Sequence, residues 1–197
     1  MEYKFDFYWG TEPTELVVDS SVLLKSHFNV LDLGCGEGRN SFFIKERVSK
    51  LTSVDISSDA LSKLIEHSQN KKLNIKIYES DALEFMQKSE NYDVIYCINL
   101  FQKLNQTKIS FLIDLIKEKT NDNGFNIIHS FYTESEEKKQ KAILKNQYLF
   151  DKEELKSFYK DWKIIHYKES LSKLEKHNNN KKIHRHFNVE LIAQKRA

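Results

Sequence analysis

The sequence predicts an α/β fold with a seven-stranded mixed sheet, helices on both faces of the sheet and a C-terminal β-hairpin. Short apolar runs alternate with amphipathic helical patterns through most of the chain, which is typical of parallel strands joined by helices. A glycine-rich turn follows the first apolar run, and the last part of the chain is strand, loop and strand with no helix between. The terminal hairpin therefore adds one antiparallel strand to an otherwise parallel sheet.

The first strand and its turn lie in the stretch Val30 to Asn40, which reads Val-Leu-Asp-Leu-Gly-Cys-Gly-Glu-Gly-Arg-Asn. The turn contains Gly34, Gly36 and Gly38, and a helix is expected from Arg39 to Val48. Because glycine has no Cβ, backbone N–H groups and a helix N-terminus can approach a polar ligand there. The spacing G-x-G-x-G differs from the dinucleotide pattern G-x-G-x-x-G. An ordinary strand-to-helix turn is the alternative interpretation.

Polar residues follow three of the other predicted strands at the point where each strand ends. They are Asp55, Asp81 and Asn99, and open α/β sheets bind their ligands at this carboxyl edge. Asp55 also comes about 20 residues after the first glycine, where nucleotide-binding units place an acid on ribose hydroxyls. The further strands are predicted at Leu51 to Asp55, Ile75 to Tyr78, Tyr92 to Ile98, Phe125 to Phe131, Lys163 to Leu171 and Ile183 to Ala193.

Capping residues and apolar spacing predict the helices between these strands. Ser57 or Ser58 begins a helix with Leu61, Leu64 and Ile65 on one face. Asn105 begins another, whose apolar positions are Ile109, Leu112, Ile113 and Ile116, with Asn123-Gly124 ending the unit. Two more helices are expected from about Thr14 to His27 and from a capping box at Asp151 to Glu154 as far as Asp161.

Length and charge limit the class of protein. A chain of 197 residues with 40% hydrophobic content is expected to form one domain, residues 1–197, in which residues 1–27 are a lid and helix segment. The net charge of +2 argues against a nucleic-acid partner, and no apolar run is long enough to predict a membrane span. We expect a cytoplasmic protein that is a monomer or a homodimer. A metal site is not expected, because the two cysteines lack metal-binding or disulfide spacing.

Four motifs in order carry a resemblance to a known family. Leu31 to Gly38, Val54-Asp55-Ile56, Ser80-Asp81-Ala82 and Tyr92 to Ile95 resemble the successive motifs of class I S-adenosylmethionine (SAM) dependent methyltransferases, which have a Rossmann-like fold. The stretch Tyr8 to Pro13, which reads Tyr-Trp-Gly-Thr-Glu-Pro, followed by the glycine turn and Arg-Asn-Ser, is similar to the tellurite-resistance methyltransferases of the TehB family.

The resemblance implies a set of residues that bind SAM and, after transfer, S-adenosylhomocysteine. Asp32 would hold the methionine ammonium, Asp55 both ribose hydroxyls, and Asp81 the adenine amino group. The Ala82 N–H would bind a ring nitrogen, and Ile56 and Leu83 would contact the adenine faces. The implied set also contains the turn residues Gly34, Cys35, Gly36 and Gly38, the following Arg39 and Asn40, Asn99, and the lid residues Tyr8 and Trp9.

Several of these residues have structural alternatives. Asp32 and Asp81 would each suit a cap of the next turn or helix. Cys35 would be a nucleophile or simply a small residue between glycines. The aromatic stretch around Tyr8 and Trp9 would be a lid that excludes water or part of the core.

Basic residues near the end of the chain are candidates for binding the methyl acceptor. His184, Arg185 and His186 would lie at the ligand edge if the strand from Lys163 runs parallel to the core strands, and His129 ends the fifth strand nearby. The alternatives are a solvated edge hairpin and a core histidine. The chain departs from the best-known bacterial members at Leu174-Glu175-Lys176, where they tend to read Leu-His-Arg, so the acceptor residues do not carry over directly.

The resemblance implies SAM-dependent methyl transfer to a small anionic or soft nucleophile, such as a tellurite- or selenite-type oxyanion. An organic metabolite or thiol is the alternative acceptor, and a non-catalytic SAM-binding sensor or interaction module is the alternative class. Amino methylation of nucleobases or glutamine is disfavoured, because the Asn/Asp-Pro-Pro-Tyr/Phe signature is absent after the fourth strand.

Overall fold

The computed structural model of the protein describes residues 7–8, 10–143, 145, 147–172 and 185–197. Two of the predicted site residues, Trp9 and His184, lie outside the described residues. So do Leu174, Glu175 and Lys176, where the sequence departs from its bacterial relatives.

The strands form one mixed sheet, as the sequence predicts. Its main path has seven strands in the order β3-β2-β1-β4-β5-β8-β7, and the two-residue β6 pairs with β5 outside that path. Strand β8 is antiparallel to both β5 and β7, whereas the other pairs are parallel. The strands are β1 Asn29–Leu33, β2 Lys50–Asp55, β3 Lys76–Glu79, β4 Tyr92–Ile98, β5 Thr120–Thr133, β6 Phe150–Asp151, β7 Lys163–Leu171 and β8 Phe187–Gln194.

Helices cover both faces of this sheet. In chain order they are α1 Glu15–Ser20, α2 Arg39–Lys45, α3 Ser58–Asn70, α4 Ala82–Lys88, α5 Gln106–Glu118, α6 Glu136–Ile143 and α7 Glu154–Phe158, with short 3₁₀ helices at Ser21–Leu23 and Phe101–Lys103. Residues of α4 and α5 pack on one face, and residues of α1, α2 and α3 pack on the other. No helix in the described part of the chain is long and apolar enough to cross a membrane.

Side-chain caps and apolar spacing determine the two longest helices. Ser57 accepts from the Ala60 N–H at the start of α3, and Asn105 accepts from the Thr107 N–H at the start of α5. All four apolar positions predicted for α5 are buried, which confirms its packing face. In α3, Leu61 and Leu64 are buried, but Ile65 is 40% exposed, so its predicted packing role is wrong.

Several predicted boundaries differ from the structure. The helix expected to reach His27 ends as α1 at Ser20 and continues only as a 3₁₀ turn. Strand β5 begins at Thr120, so Asn123-Gly124 lies inside a strand. At the start of α7, Glu154 accepts from the Asp151 N–H at 2.7 Å, which is one of the two hydrogen bonds of the predicted capping box, but the helix ends at Phe158 and not at Asp161.

The direction of β7 brings the terminal hairpin to the ligand edge. Because β8 is antiparallel to both neighbours, β7 runs parallel to β5 and ends at the carboxyl edge of the sheet. Leu171 pairs with Phe187, and Asn188 pairs with Phe131 at the end of β5. Because β7 runs parallel to the core strands, Arg185 and His186, which directly precede β8, lie at the ligand edge of the sheet.

Candidate functional site

The glycine turn between β1 and α2 leaves open space at one position and is tightly packed at another. Gly36 has a φ of +55°, and a Cβ built on it would have no atom within 4 Å. Gly38 has a φ of +91°, and a Cβ there would lie 1.9 Å from Leu64 Cδ1. Gly36 therefore provides a cradle that a ligand can occupy, whereas Gly38 is required by packing against α3.

Cys35 belongs to the core beneath this turn. It is buried and packs with Phe7, Phe42 and Leu64. Burial raises the pKa of its thiol well above the ordinary value, and the nearby Asp32 carboxylate raises it further. Because only the thiolate is a good nucleophile, this favours the interpretation of Cys35 as a small packing residue.

Asp55 ends β2 directly beside the open glycine. One of its carboxylate oxygens accepts from the Gly36 N–H at 2.8 Å, and the other accepts from the Ser57 N–H at 2.9 Å. Each carboxylate oxygen can accept more than one hydrogen bond. Asp55 therefore fixes the turn and retains capacity for the two hydroxyls of a ribose.

A cavity of about 440 Å³ is lined by six of the predicted cofactor residues, whereas Asp32, Cys35, Gly36, Gly38, Arg39, Asn40 and Tyr8 do not line it. Ile56 lines it with 68% of its surface exposed, as expected for an apolar residue that faces a ligand. The other lining residues are Gly34, Val54, Asp55, Ser80, Asp81, Ala82, Asn99, Leu100, Lys103, Leu104, Asn105 and Lys108. Leu83, predicted to contact adenine, does not line it. A second cavity of about 500 Å³ between β3 and α4 shares only Ser80 with the first and contains none of the predicted site residues.

Asp81 acts as the cap of α4, which was the structural alternative for this residue. Its Oδ1 accepts from the N–H groups of Leu83 and Glu84 at 2.9 and 3.4 Å. Its Oδ2 lies 3.5 Å from Lys108 Nζ in the wall of the cavity. Ala82 is the first residue of α4, where a backbone N–H has no partner within the helix. The adjacent acceptor and donor fit the amino group and ring nitrogen of an adenine.

Asp32 lies below the turn in a buried polar chain. Only 1% of its surface is exposed, its Oδ2 accepts from Ser41 Oγ at 2.6 Å, and Ser41 in turn accepts from Ser53 Oγ at 3.0 Å. Burial raises the pKa of Asp32 to about 6, although the Ser41 hydrogen bond opposes the shift. An ammonium group bound nearby would favour the ionised carboxylate.

The raised pKa predicts the pH dependence of the Asp32→Asn variant. Since the folded protein binds the proton more tightly than the unfolded chain, wild-type stability falls as the pH rises from 3.8 to about 6. Asp32→Asn removes this penalty and should increase the free energy of unfolding at pH 7 by roughly 3 kcal/mol. Urea denaturation at several pH values measures the difference, which should disappear below pH 4. A difference that does not change with pH, or a similar gain in the exposed control Asp19→Asn, would contradict the assignment.

The N-terminal segment is attached to the glycine turn. The Tyr8 N–H donates to Glu37 Oε2 at 2.8 Å, and Glu37 Oε1 accepts from Lys63 at 2.5 Å. Phe7 is buried against α2 and α3, so this aromatic residue belongs to the core, while the side chain of Tyr8 is exposed. The aromatic stretch thus contains both a core anchor and a residue placed beside the turn.

Arg39 and Asn40 contact this segment as well. Asn40 Oδ1 accepts from the Thr14 N–H at 2.9 Å, and Arg39 Nη2 donates to Thr14 Oγ1 at 3.1 Å. Both side chains therefore hold the start of α1, and their predicted role toward a cofactor stays a prediction. Neither Glu37 nor Thr14 was singled out for these contacts in the sequence, although Glu37 belongs to the glycine-turn motif and Thr14 begins the first predicted helix.

The acceptor candidates lie beyond Asn99, which follows β4. They are close to the end of β5 and the start of β8. Asn99 Oδ1 lies 2.8 Å from His129 Nδ1, and the Asn99 N–H donates to the His129 carbonyl at 2.9 Å. The ring of His186 stacks on Phe131 at 4.5 Å, and Arg185 is exposed beside it. The structure thus brings His129, Arg185 and His186 to the same edge of the sheet as the cavity.

Comparisons with known proteins identify the family. The sequence model described as tellurite resistance protein TehB matches residues 2–191. The probable SAM-dependent methyltransferase TehB of Haemophilus influenzae is 33% identical over 166 residues, which are 83% of this chain and 56% of that protein.

Solved structures agree with this relationship. The crystal structure of TehB from Haemophilus influenzae has a TM-score of 0.81 and 29% identity, and the match covers 96% of this chain and 64% of that one. The N-methyltransferase NodS of Bradyrhizobium japonicum in complex with S-adenosylhomocysteine has a TM-score of 0.69 at 13% identity, over 91% of this chain and 83% of that one, which shows the shared fold alone. This chain spans little more than half the length of its curated TehB relative. The chain belongs to the TehB family.

Proposed function

We propose that this protein transfers the methyl group of SAM to a small anionic or soft nucleophile, and that a tellurite- or selenite-type oxyanion is the first candidate. One observation carries the proposal. A single cavity is lined by Asp55, which accepts from the N–H of the open Gly36, by the exposed Ile56, by the first residue of α4 and by Asn99. These groups match what the ribose, the adenine and the transfer site of a methyl transfer require.

The cofactor half of the site would be formed by residues after β1, β2 and β3. Asp55 would bind the ribose hydroxyls, Ile56 would contact the adenine face, and Asp81 with Ala82 would bind the adenine edge. Asp32 would favour the methionine ammonium through charge. SAM supplies a methyl group that is already activated on a sulfonium, so the protein's main task is to align the acceptor with it.

The acceptor half would be formed by the end of β5 and the start of β8. Arg185 is exposed at the start of β8, and the stacked His186 and Phe131 fix the backbone beside it. A guanidinium suits an oxyanion because it donates several hydrogen bonds in one plane. The family is described by its tellurite resistance, which supports tellurite as the first acceptor to test.

A labelled-methyl assay tests the reaction and the role of Arg185 together. Purified protein with labelled SAM and selenite or tellurite should release a volatile labelled methyl product that headspace mass spectrometry detects. Arg185→Ala should lower kcat/KM for the oxyanion by roughly tenfold, as expected for the loss of one charge-assisted hydrogen bond. The matched control is Arg196→Ala, which removes the same charge at the other end of β8 and should leave the rate unchanged.

Other results would indicate the other candidates. If SAM binds in calorimetry but no oxyanion is methylated, the acceptor is an organic metabolite or thiol, a candidate favoured by the contact between Asn99 and His129. Binding of SAM without turnover of any acceptor would instead indicate a sensor or interaction module.

A further inference from the structure

We propose that His129, oriented by Asn99, is the general base of methyl transfer, and that the acceptor therefore carries a proton on its attacking atom. The inference rests on the proposed function and selects the second of its acceptor classes, an organic metabolite or thiol, over an oxyanion that attacks through a lone pair. Oxygen, sulfur, selenium or nitrogen acids with an O–H, S–H, Se–H or N–H group belong to this class. Bare nucleophiles without a proton do not.

Two hydrogen bonds hold the pair together. The Asn99 side-chain oxygen lies 2.8 Å from His129 Nδ1, and the Asn99 N–H donates to the His129 carbonyl at 2.9 Å. Asn99 has a φ of +58°, a left-handed conformation that non-glycine residues adopt uncommonly and that recurs at functional sites. Asn99 also lines the same cavity as Gly34 and Asp55. Asn99 therefore lies where the acceptor half meets the cofactor half, with His129 bonded behind it.

The chemistry of the contact determines the protonation of the imidazole. With the amide oxygen of Asn99 facing the ring, the contact places a proton on His129 Nδ1, because an amide oxygen only accepts a hydrogen bond. In the neutral ring, Nε2 then has the lone pair and is the basic nitrogen. Histidine is the side chain that both accepts and releases a proton near neutral pH. A base oriented by a fixed partner in this way is the arrangement that general-base catalysis uses.

The surroundings of His129 agree with a position in the acceptor half of the site. His129 is 8% exposed, and its ring centroid lies 6.4 Å from that of Phe131. Phe131 in turn stacks on His186. Residues two apart on a strand share a face, so His129 and Phe131 lie on one side of β5.

An unsatisfied oxygen on the same face is an independent indication. Asn188 pairs directly with Phe131 across β5 and β8, and paired residues of antiparallel strands point to the same side. Its Oδ1 is buried and has no hydrogen-bond partner among the described residues. Leaving such a group unpaired costs about 1–3 kcal/mol, and a functional role for this end of β8 is one explanation of that cost.

The proposed step balances without a further reactant. The bond between the acceptor atom and the methyl carbon forms as the bond between that carbon and sulfur breaks. The electron pair of the broken bond stays on sulfur, and the acceptor's proton passes to His129 Nε2.

The tautomer of His129 is the first readout, and it does not depend on turnover. Histidine-labelled protein studied by NMR with S-adenosylhomocysteine bound should show the His129 Nδ1–H form. Asn99→Gly, which removes the amide but suits the positive φ, should convert it to a mixture. An Nε2–H form in the wild-type protein would overturn the proposal.

Two acceptor probes test catalysis: 2-mercaptoethanol, which carries a proton, and iodide, which does not. His129→Gln should lower transfer to 2-mercaptoethanol by about a hundredfold at pH 7 and leave transfer to iodide unchanged. Asn99→Gly should lower it roughly tenfold. Asn99→Asp should restore it and move the acid limb of the pH–rate profile upward. His27→Gln, an exposed residue far from the site, is the control and should change neither rate.

The outcomes separate this inference from the proposed function. Failure of the wild-type protein to bind S-adenosylhomocysteine in calorimetry would overturn the proposed function itself. Normal binding combined with equal losses for both probes, or with no loss in His129→Gln, would overturn only the role of His129. If neither probe is methylated, the NMR tautomer decides.

Discussion

Asp55→Ala is expected to weaken SAM binding by roughly a hundredfold or more while the protein stays folded. The variant would lose the two hydrogen bonds that the wild-type carboxylate makes to ribose hydroxyls. A hydrogen bond to a charged group contributes about 1.5–3 kcal/mol. The variant also loses the contacts that Asp55 makes with the N–H groups of Gly36 and Ser57. The turn would therefore be less well ordered before the cofactor arrives, which adds to the loss.

Isothermal calorimetry with SAM or S-adenosylhomocysteine measures this effect. Asp59→Ala is the matched control, because it removes an exposed acid only four residues away in the first turn of α3. Asp55→Asn should fall between the two, since it retains one acceptor oxygen without the charge. Unchanged affinity in Asp55→Ala would remove the cofactor assignment on which the proposed function depends.

Gly38→Ala is expected to destabilise the protein by roughly 3 kcal/mol, because two costs combine. The new methyl group would lie 1.9 Å from Leu64 Cδ1 in a fully buried position, and overpacking of a core typically costs about 1–3 kcal/mol. The φ of +91° adds a left-handed strain of about 1–2 kcal/mol for alanine. Urea denaturation should show the loss directly.

Gly36→Ala should behave differently, although it lies only two residues away. Open space surrounds its Cβ position, so only the strain of a φ of +55° remains, roughly 1 kcal/mol. Its methyl group would instead occupy the cradle and reduce SAM affinity in calorimetry. The double variant Gly38→Ala/Leu64→Ala should recover part of the overpacking cost. Equal stability of the two single variants would contradict the packing account of the turn.

Local patterns predicted the parts of the fold that depend on local chemistry. The caps Ser57 and Asn105 and the apolar spacing of α5 are visible in the sequence because each works within one helix. The start of β5 was missed because Asn123-Gly124 is a strong turn signal. In the structure, a Cβ at position 124 would lie 2.7 Å from the carbonyl oxygen of Asp93, so this glycine allows two strands to approach closely. Only the neighbouring strand reveals that requirement.

The candidate site shows the same limit. The position of Asp55 was predictable because a strand that ends in an acid places it at a known edge of the sheet. The contacts of Arg39 and Asn40 with Thr14 were not, since they join segments about 25 residues apart. Asn188 gave no signal at all, because an unpaired oxygen is recognised only when every neighbouring group has been placed.

The position of β4 at the middle of the sheet separates the two halves of the proposed site. Strands β1, β2 and β3 lie on one side of it, and β5, β8 and β7 lie on the other. Substitutions around His129 and Asn188 are thus separated from Asp55 and Asp81 by at least two intervening strands, and effects of well-separated sites tend to be additive. Under the proposed function, the acceptor preference can therefore change during evolution or laboratory selection while SAM binding is retained.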